Sequence, residues 1–210
     1  MNRPIRSFVL RQGRTTPAQQ RALDALLPVY GIPFPEKIES KKPLVLEIGS
    51  GMGETTFEIA KVHPEADFVA VEVHGPGVGS LLNRIDKEGL TNLRVVRHDA
   101  VEVLERMVAD GSLSAVHLFF PDPWPKKRHH KRRLVQPAFV SLLHRKLKVG
   151  GLLHAATDWP DYATWIEEAF AGWKKAARGF AERPTTKFEA RGRELGHPIR
   201  DLYFERILRG

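Results

Sequence analysis

The feature that most restricts how this chain can fold is an alternation of short apolar runs with amphipathic segments, which begins at Pro43. Five runs have the character of β-strands, namely "LVLEIG", "FVAVEV", "LRVVRHDA", "AVHLFF" and "LLHAATD". Near-continuous apolar strands that alternate with helices are typical of a parallel sheet covered on both faces. The pattern therefore predicts a doubly wound α/β domain. "LVQPAFVSLLHRKLKVGG" is expected to carry a helix that stops at the Gly-Gly pair, and the tail "IRDLYFERIL" an antiparallel edge strand.

The length and composition favour one globular domain over residues 1–210, in which residues 1–40 form an N-terminal arm packed on the core and partly mobile. The chain has no cysteine, which excludes disulfides, a thiol nucleophile and any Cys-ligated metal. No apolar run approaches the roughly 18 to 20 residues needed to cross a bilayer, and no cleavable signal is evident. We expect a cytoplasmic protein.

An acidic residue stands at or near the end of each predicted strand. Ligands of doubly wound sheets bind outside the carboxyl ends of the strands. Five acids reach that edge, namely Glu47, Glu72, Asp99, Asp122 and Asp158. This recurrence indicates a ligand site, although a role as helix N-cap would also account for Asp99 and Asp158.

The first strand runs into a glycine-rich turn, "LEIGSGMGE", spaced Gly49-x-Gly51-x-Gly53. Glycines allow a sharp turn and close approach of the backbone to a ligand. The dinucleotide fingerprint requires Gly or Ala where this chain has Glu54, and Glu47 stands two residues before the first glycine. These acids would repel a pyrophosphate and attract a cation.

S-adenosyl-L-methionine fits such a site better than a nicotinamide cofactor does, because it carries a sulfonium, an amino group and a ribose but no phosphate. Glu72 follows Gly49 by 23 residues, where an acid commonly accepts hydrogen bonds from ribose hydroxyls. Asp99 is placed to meet the adenine amino group. A tight turn without any ligand is the alternative interpretation of the glycines.

Immediately after the fourth strand comes "LFFPDPWPKKRHHKRRL". Six of the 33 Lys and Arg residues lie within positions 126–133, in a chain of net charge +8. Such a cluster neutralises phosphates and gives affinity for nucleic acid without base specificity. Trp124 could stack on an unpaired base or simply pin the loop to the domain. His129 and His130 lack metal-ligand spacing and are assigned to the phosphate-facing surface, and no metal site is expected.

Several segments resemble those of bacterial tRNA (guanine-N7-)-methyltransferases: "EIGSGMGETT", "VEVHGPGVGSLL", "LFFPDPWPKKRHHKRRL", "ATDW" and "TTKFEARGRELGHPIRDLYFER". "RSFVLRQGRTTPAQ" resembles the segment before that family's catalytic core, so the likeness covers about residues 6–208. The resemblance implies a Rossmann-like, mostly parallel seven-stranded sheet with an antiparallel strand near the C-terminus. It also implies methylation of guanine 46 in the tRNA variable loop by an S-adenosyl-L-methionine-dependent enzyme, as a monomer or homodimer without an obligate protein partner.

Matched motif by motif, the resemblance assigns roles to individual residues. Asp122 would be catalytic. The cofactor would contact Glu47, Gly49, Gly51, Glu72, Asp99 and Asp122. The substrate would contact Lys126, Asp158, Thr186, Lys187, Phe188 and Glu189, and the RNA backbone would meet Arg128, His129, His130, Lys131, Arg132 and Arg133.

Guanine N7 has an available lone pair and no proton to lose, so its methylation does not require a general base. We therefore expect Asp122 to orient the guanine and to balance the positive charge that develops on it. Three alternatives remain open from the sequence: a tRNA-binding protein without catalysis, a small-molecule methyltransferase, and a catalytic subunit that needs a partner.

Overall fold

The computed structural model describes residues 7–8, 13–185 and 198–208. Helices and strands alternate along the chain much as the sequence pattern predicts. In chain order the elements are α1 (Pro17–Ala25), α2 (Leu27–Tyr30), β1 (Leu44–Ile48), α3 (Glu54–Val62), β2 (Asp67–Val71), α4 (Gly75–Glu88), β3 (Leu93–Val96), α5 (Ala100–Arg106), β4 (Leu113–Phe119), a 3₁₀ helix (Lys127–Arg132), α6 (Pro137–Lys146), β5 (Leu147–Thr157), α7 (Pro160–Ala169), β6 (Lys174–Lys175) and β7 (Arg200–Glu205).

Within the described residues the strands form one seven-stranded sheet in the order β3-β2-β1-β4-β5-β7-β6. The strands β1 to β5 pair in parallel, whereas β7 runs antiparallel to β5. The chain order reverses between β1 and β4, which is where a doubly wound sheet opens a crevice for ligands. The predicted Rossmann-like fold class is confirmed.

Two local predictions need correction. The C-terminal strand β7 is antiparallel as predicted but is not at the edge, because the two-residue strand β6 pairs along its outer side. The helix predicted to run to the Gly-Gly pair ends at Lys146, and the glycines lie inside β5. Gly150 has a positive φ of 75° there, and the register with β4 shifts between Leu113 and Ala115, so the glycines shape an irregularity in a strand.

The core divides into two apolar layers, one on each face of the sheet, because side chains of a strand alternate between faces. Leu46 and Leu118 pack with Phe139 of α6 and Ile166 of α7 on one face. On the other face the buried residues come from strands and from α1, α3 and α4, and they include Val45, Phe57, Phe68, Leu81 and Ala115. Burying a Val, Leu, Ile or Phe side chain stabilises a fold by about 1.5 to 3 kcal/mol, so the two layers stabilise the sheet that carries the site.

Glycines at the start of α4 permit unusually close packing. A Cβ atom at Gly77 would overlap the carbonyl oxygen of Gly51, and one at Gly79 would lie 2.6 Å from the carbonyl oxygen of Gln19 in α1. The segment "GPGVG" thus lets α4 touch both the glycine loop and the N-terminal helix. That helix begins at a capping box, in which Thr16 and Gln19 satisfy each other's backbone N–H groups. None of the helices in the described ranges is both long and apolar enough to cross a membrane.

Candidate functional site

A cavity of about 230 Å³ opens at the carboxyl ends of the strands, beside the point where the chain order reverses. Three of the predicted acids, Glu72, Asp99 and Asp122, line it together with Gly49. The remaining wall is mainly apolar and comes from Ile48, Val71, Val73, Ala100, Val101, Leu118, Phe119, Phe120, Pro121 and Leu134. The site therefore combines a few convergent carboxylates with an apolar lining, as small-molecule sites usually do.

The glycine loop takes its shape from left-handed backbone and from Glu72. Gly49, Gly51 and Gly53 have φ values of 73°, 57° and 74°. The Glu72 carboxylate accepts hydrogen bonds from the N–H groups of Gly51 (2.8 Å), Val73 (2.7 Å) and His74 (2.8 Å). Glu72 thus ties the end of β2 to the loop after β1. A carboxylate has about four lone-pair sites, so one further hydrogen bond can still be accepted.

Asp99 has the structural role that was left open from the sequence. Its Oδ1 caps α5 by accepting hydrogen bonds from the N–H groups of Val101 (2.8 Å) and Glu102 (3.2 Å). The same residue lines the cavity. The N-cap interpretation is confirmed for Asp99, and both cap hydrogen bonds use the same oxygen, Oδ1.

Glu47 is not among the residues that line the cavity. It is buried, and it accepts a hydrogen bond from the Thr56 hydroxyl in α3. Burial raises the pKa of Glu47 from its ordinary value of 4.5 to about 7; the Thr56 hydrogen bond opposes this shift, and the nearby Glu72 charge adds to it. Glu47 is thus a buried carboxyl poised to change charge near neutral pH.

The Asp122 loop, residues 120–124, is strained at both ends. Phe120 and Trp124 have φ values of 50° and 45°, which residues with a side chain seldom adopt. The Phe120 N–H donates to the carbonyl oxygen of Ala156 at 2.7 Å, so the loop leaves the sheet directly beside the end of β5. Such strain persists only where the surrounding structure holds it, and it concentrates at functional sites.

Asp122 stands in this loop at the mouth of the cavity. Partial desolvation raises its pKa above the ordinary value of 3.8. Asp158 directly follows Thr157, the last residue of β5, and Asp122 lies three residues beyond the end of β4, so the two acids leave neighbouring parallel strands at the same edge of the sheet. Asp158 does not cap the next helix: Trp159 occupies the N-cap position of α7, and its N–H is bonded to the Thr157 hydroxyl. The N-cap interpretation is therefore wrong for Asp158.

Trp124 holds the N-terminal arm. Its indole N–H donates to the carbonyl oxygen of Ser7 at 3.1 Å, Arg132 lies 5.0 Å from its ring centre, and the His129 ring packs against it edge-on. Ser7 and Phe8 line the cavity. No sequence pattern placed the arm at the site, beyond the arm's likeness to the segment that precedes the family's core.

The basic run forms a short 3₁₀ helix beside the Asp122 loop. Its exposed cations are Lys126, Lys127, Arg128, Lys131 and Arg132, while His129 and His130 are half-buried. Partial burial and the neighbouring cations lower the pKa of His129, with burial the larger cause. Lys126 to Arg132 thus present positive charge to solvent, as predicted for a phosphate-facing surface.

Arg133 departs from that prediction. Its side chain is 0% exposed and pairs with Asp161 of α7. A side chain enclosed in this way cannot reach an RNA phosphate, so the expectation that Arg133 contacts RNA is not met. The remaining predicted substrate residues, Thr186, Lys187, Phe188 and Glu189, lie outside the described residues. Within the described ranges, no group of three His, Asp or Glu side chains could hold a metal ion.

Comparison with known proteins places this site in a family. A family model described as "Putative methyltransferase" matches residues 41–202. The tRNA (guanine-N(7)-)-methyltransferase of Nitrosomonas europaea is 58% identical, over 97% of this chain and 97% of that protein. The protein of the same name from Methylobacillus flagellatus is 55% identical, over 97% of this chain and 92% of that one.

Solved structures agree on the fold. The crystal structure of the 16S rRNA methyltransferase KamB superposes with a TM-score of 0.57 at 16% sequence identity, covering 80% of this chain and 89% of that chain. The fold, the family model and the high identity over nearly whole chains lead to one conclusion: this chain belongs to the tRNA (guanine-N(7)-)-methyltransferase family.

Proposed function

We propose that this protein transfers a methyl group from S-adenosyl-L-methionine to N7 of guanine 46 in the variable loop of tRNA. The observation that carries the proposal is the position of Asp122. It stands in a strained loop between a carboxylate-lined cavity on one side and an exposed basic helix on the other. A small cationic donor and a polyanionic acceptor would meet at this residue.

The cavity suits the proposed cofactor. S-adenosyl-L-methionine, when bound, supplies a methyl group carried on a positively charged sulfur. Glu72 keeps capacity to accept a hydrogen bond, Asp99 lines the cavity with only its Oδ1 engaged in the helix cap, and Gly49 offers backbone without a side chain. Gly51 and Glu47 do not line the cavity: Gly51 would act by fixing Glu72, and Glu47 through its charge when ionised. Carboxylates attract a cation and would repel a pyrophosphate.

On the acceptor side, carboxylates are the groups that leave N7 free. The common Arg fork on guanine binds O6 and N7 and would cover the reacting atom. Asp122 can instead accept hydrogen bonds from N1–H and the N2 amino group, and its charge opposes the positive charge that develops on the purine. Asp158, which directly follows β5, would assist, with Lys126 and the predicted residues Thr186, Lys187, Phe188 and Glu189.

The basic helix would hold the tRNA backbone through Arg128, Lys131 and Arg132, with His129 and His130 alongside. In A-form RNA the deep groove hides N7, so the target guanine has to come from a loop or be splayed out of its stack. Trp159 is the tryptophan best exposed to receive such a base: its side chain is 38% exposed and it directly follows Asp158. Trp124 is already engaged by Arg132, His129 and Ser7.

The deciding experiment is transfer of labelled methyl groups to tRNA transcripts with guanine or adenine at position 46. We expect methylation only of the guanine transcript, with 7-methylguanine as the product. Binding of tRNA and cofactor without transfer would indicate a non-catalytic tRNA-binding protein. Transfer to position 46 by the purified chain, with no other protein added, would support an enzyme that works alone, as a monomer or homodimer.

A further inference from the structure

We propose that Arg133 is a positioning residue that fixes the Asp122 loop against α7, and so sets the relative placement of Asp122 and Asp158. The proposal deepens the proposed function and depends on it. Arg133 is the last of the six cations in the basic run, yet its environment is unlike that of its neighbours. It would act through the backbone of the loop rather than through the tRNA.

The first contact of Arg133 is with the Asp122 loop itself. Its Nε–H donates to the carbonyl oxygen of Pro123 at 2.9 Å. Pro123 directly follows Asp122, so this hydrogen bond restrains the Pro123–Trp124 peptide unit, one residue after the proposed catalytic residue. The bond lies between the two positive-φ residues, Phe120 and Trp124, whose strained backbone needs such restraint.

The second set of contacts is with α7. The guanidinium pairs with Asp161 and lies over two aromatic rings, 4.9 Å from the ring centre of Tyr162 and 5.0 Å from that of Trp165. Cations over aromatic faces are attracted more strongly when water is excluded, as it is here. The helix α7 begins two residues after Asp158, so the Arg133 side chain joins the Asp122 loop to the helix that follows Asp158.

The planar guanidinium is suited to this task, and an ammonium is not. Arg133 needs one N–H for Pro123, another for Asp161, and flat faces for the two rings, which lysine cannot supply together. Enclosing a charged side chain carries a desolvation cost that an apolar side chain of similar volume would avoid, so packing alone does not account for an arginine here. We therefore expect Arg133 to contribute to turnover and not to RNA affinity.

The test compares Arg133→Met and Arg133→Lys with Arg132→Met, the adjacent exposed cation, in the full chain. For Arg133→Met we expect kcat for tRNA methylation to fall about tenfold or more, because misplaced reacting groups lose rate steeply. The tRNA Kd and its salt dependence should stay within about twofold of wild type, since a buried cation neutralises no phosphate. Arg133→Lys should recover part of kcat. Arg132→Met should instead weaken tRNA binding and flatten its salt dependence.

Two further measurements keep the outcomes distinct. Asp161→Asn keeps Arg133 and removes its charged partner at an exposed position, so the variant should fold. It should lower kcat, though less than Arg133→Met does. This variant therefore tests the positioning role even if Arg133→Met fails to fold. Partial desolvation raises the pKa of Asp122, so a loosened loop in Arg133→Met should bring that pKa closer to its ordinary value. Carbon NMR of the Asp122 carboxyl measures this change without any tRNA, so the result does not depend on the identity of the substrate. A wild-type protein that methylates no tRNA would refute the proposed function alone. Unchanged kcat and Asp122 titration, or a flattened salt slope in Arg133→Met, would overturn the positioning role.

Discussion

The two sides of the carboxylate rim are built differently. On the side formed by β1 to β3, the acids are already bonded: Glu72 to three backbone N–H groups, Asp99 to two and Glu47 to a hydroxyl. On the side formed by β4 and β5, Asp122 and Asp158 accept no hydrogen bond from the described residues. The acids of the first side are therefore held in place before any ligand binds, and their hydrogen bonds also stabilise the glycine loop and the start of α5.

The difference matches what each side would bind. A small cofactor benefits from a rigid shell, because little ordering is required on binding. A base drawn out of a large RNA has hydrogen-bond donors of its own, and unpaired carboxylates can receive them. The strain of the second side resides in the backbone, at Phe120 and Trp124, rather than in its carboxylates.

The largest effect should come from Asp122→Ala. Removing the carboxylate that we propose orients the guanine should lower kcat by about 100-fold or more, while the Kd for tRNA changes little. Single-turnover methylation and filter binding measure the two quantities. Asp24→Ala, at an exposed position of α1, is the matched control. Equal loss of binding and turnover would mean that Asp122 holds the tRNA rather than aligning it.

Glu72→Gln and Asp158→Asn test the division between the two sides directly. Glu72→Gln removes the charge and disturbs the N–H cradle, so the cofactor Kd should rise at least about tenfold, since hydrogen bonds to charged groups are worth roughly 1.5 to 3 kcal/mol. Asp158→Asn should leave that Kd unaltered and lower kcat/KM for tRNA. Calorimetric titration with the cofactor and steady-state kinetics give both values. If each variant affected both ligands equally, the division would not hold.

Trp159→Ala should weaken use of the tRNA by about five- to tenfold in kcat/KM, because base stacking on an aromatic ring is worth about 1 to 3 kcal/mol. Trp159→Phe should recover most of the loss. Val149→Ala, an exposed apolar position at the opposite end of β5, serves as control. Equal kcat/KM values for Trp159→Ala and Val149→Ala would mean that Trp159 does not contact the tRNA.

The salt dependence of tRNA binding addresses the basic helix. Neutralising Arg128 and Arg132 should lower the slope of log affinity against log salt by about 0.7 to 0.9 for each phosphate that the protein no longer neutralises. The slope is read from binding at several salt concentrations. A slope identical to that of wild type would mean that the basic helix is an ordinary solvated surface and does not contact the tRNA phosphates.

The smallest effect concerns Glu47 and pH. Its folded-state pKa of about 7 exceeds the ordinary 4.5, so its contribution to stability is complete below pH 4.5 and declines as pH rises to 7. A cationic ligand favours the ionised form, so cofactor affinity should increase as pH rises through 7, with release of up to about one proton. Calorimetry in buffers of different ionisation enthalpy measures this release. Glu47→Gln should abolish the proton release. If the release were unaltered in this variant, a different titratable group would be its source.

The strand ends were predictable because apolar runs and their terminal acids are local features. The alternation placed Glu72, Asp99 and Asp122 on one edge, and the structure brings them to one cavity. Boundaries that depend on tertiary pairing were not predictable. The strand β5 begins at Leu147 because Leu113 of β4 pairs with it, which overrides the helical pattern of the residues before Gly150.

The burial of Arg133 shows the same limit at the site. In sequence it is indistinguishable from Arg132, since both belong to one charged run. The partners that bury it, Asp161, Tyr162 and Trp165, lie about 30 residues away on α7, and only the folded chain brings them together. The position of Ser7 at the cavity is likewise set by a hydrogen bond with Trp124 that spans 117 residues.

The close packing of Gly77 against the carbonyl of Gly51 has a practical meaning for engineering. Enlarging the pocket for bulkier donor analogues should start from the apolar wall, where Leu118 or Val101 can be shortened. Adding even a methyl group at position 77 would instead push the glycine loop outward and distort the cradle around Glu72. The first turn of α4 therefore has to be left unchanged when the binding pocket is redesigned.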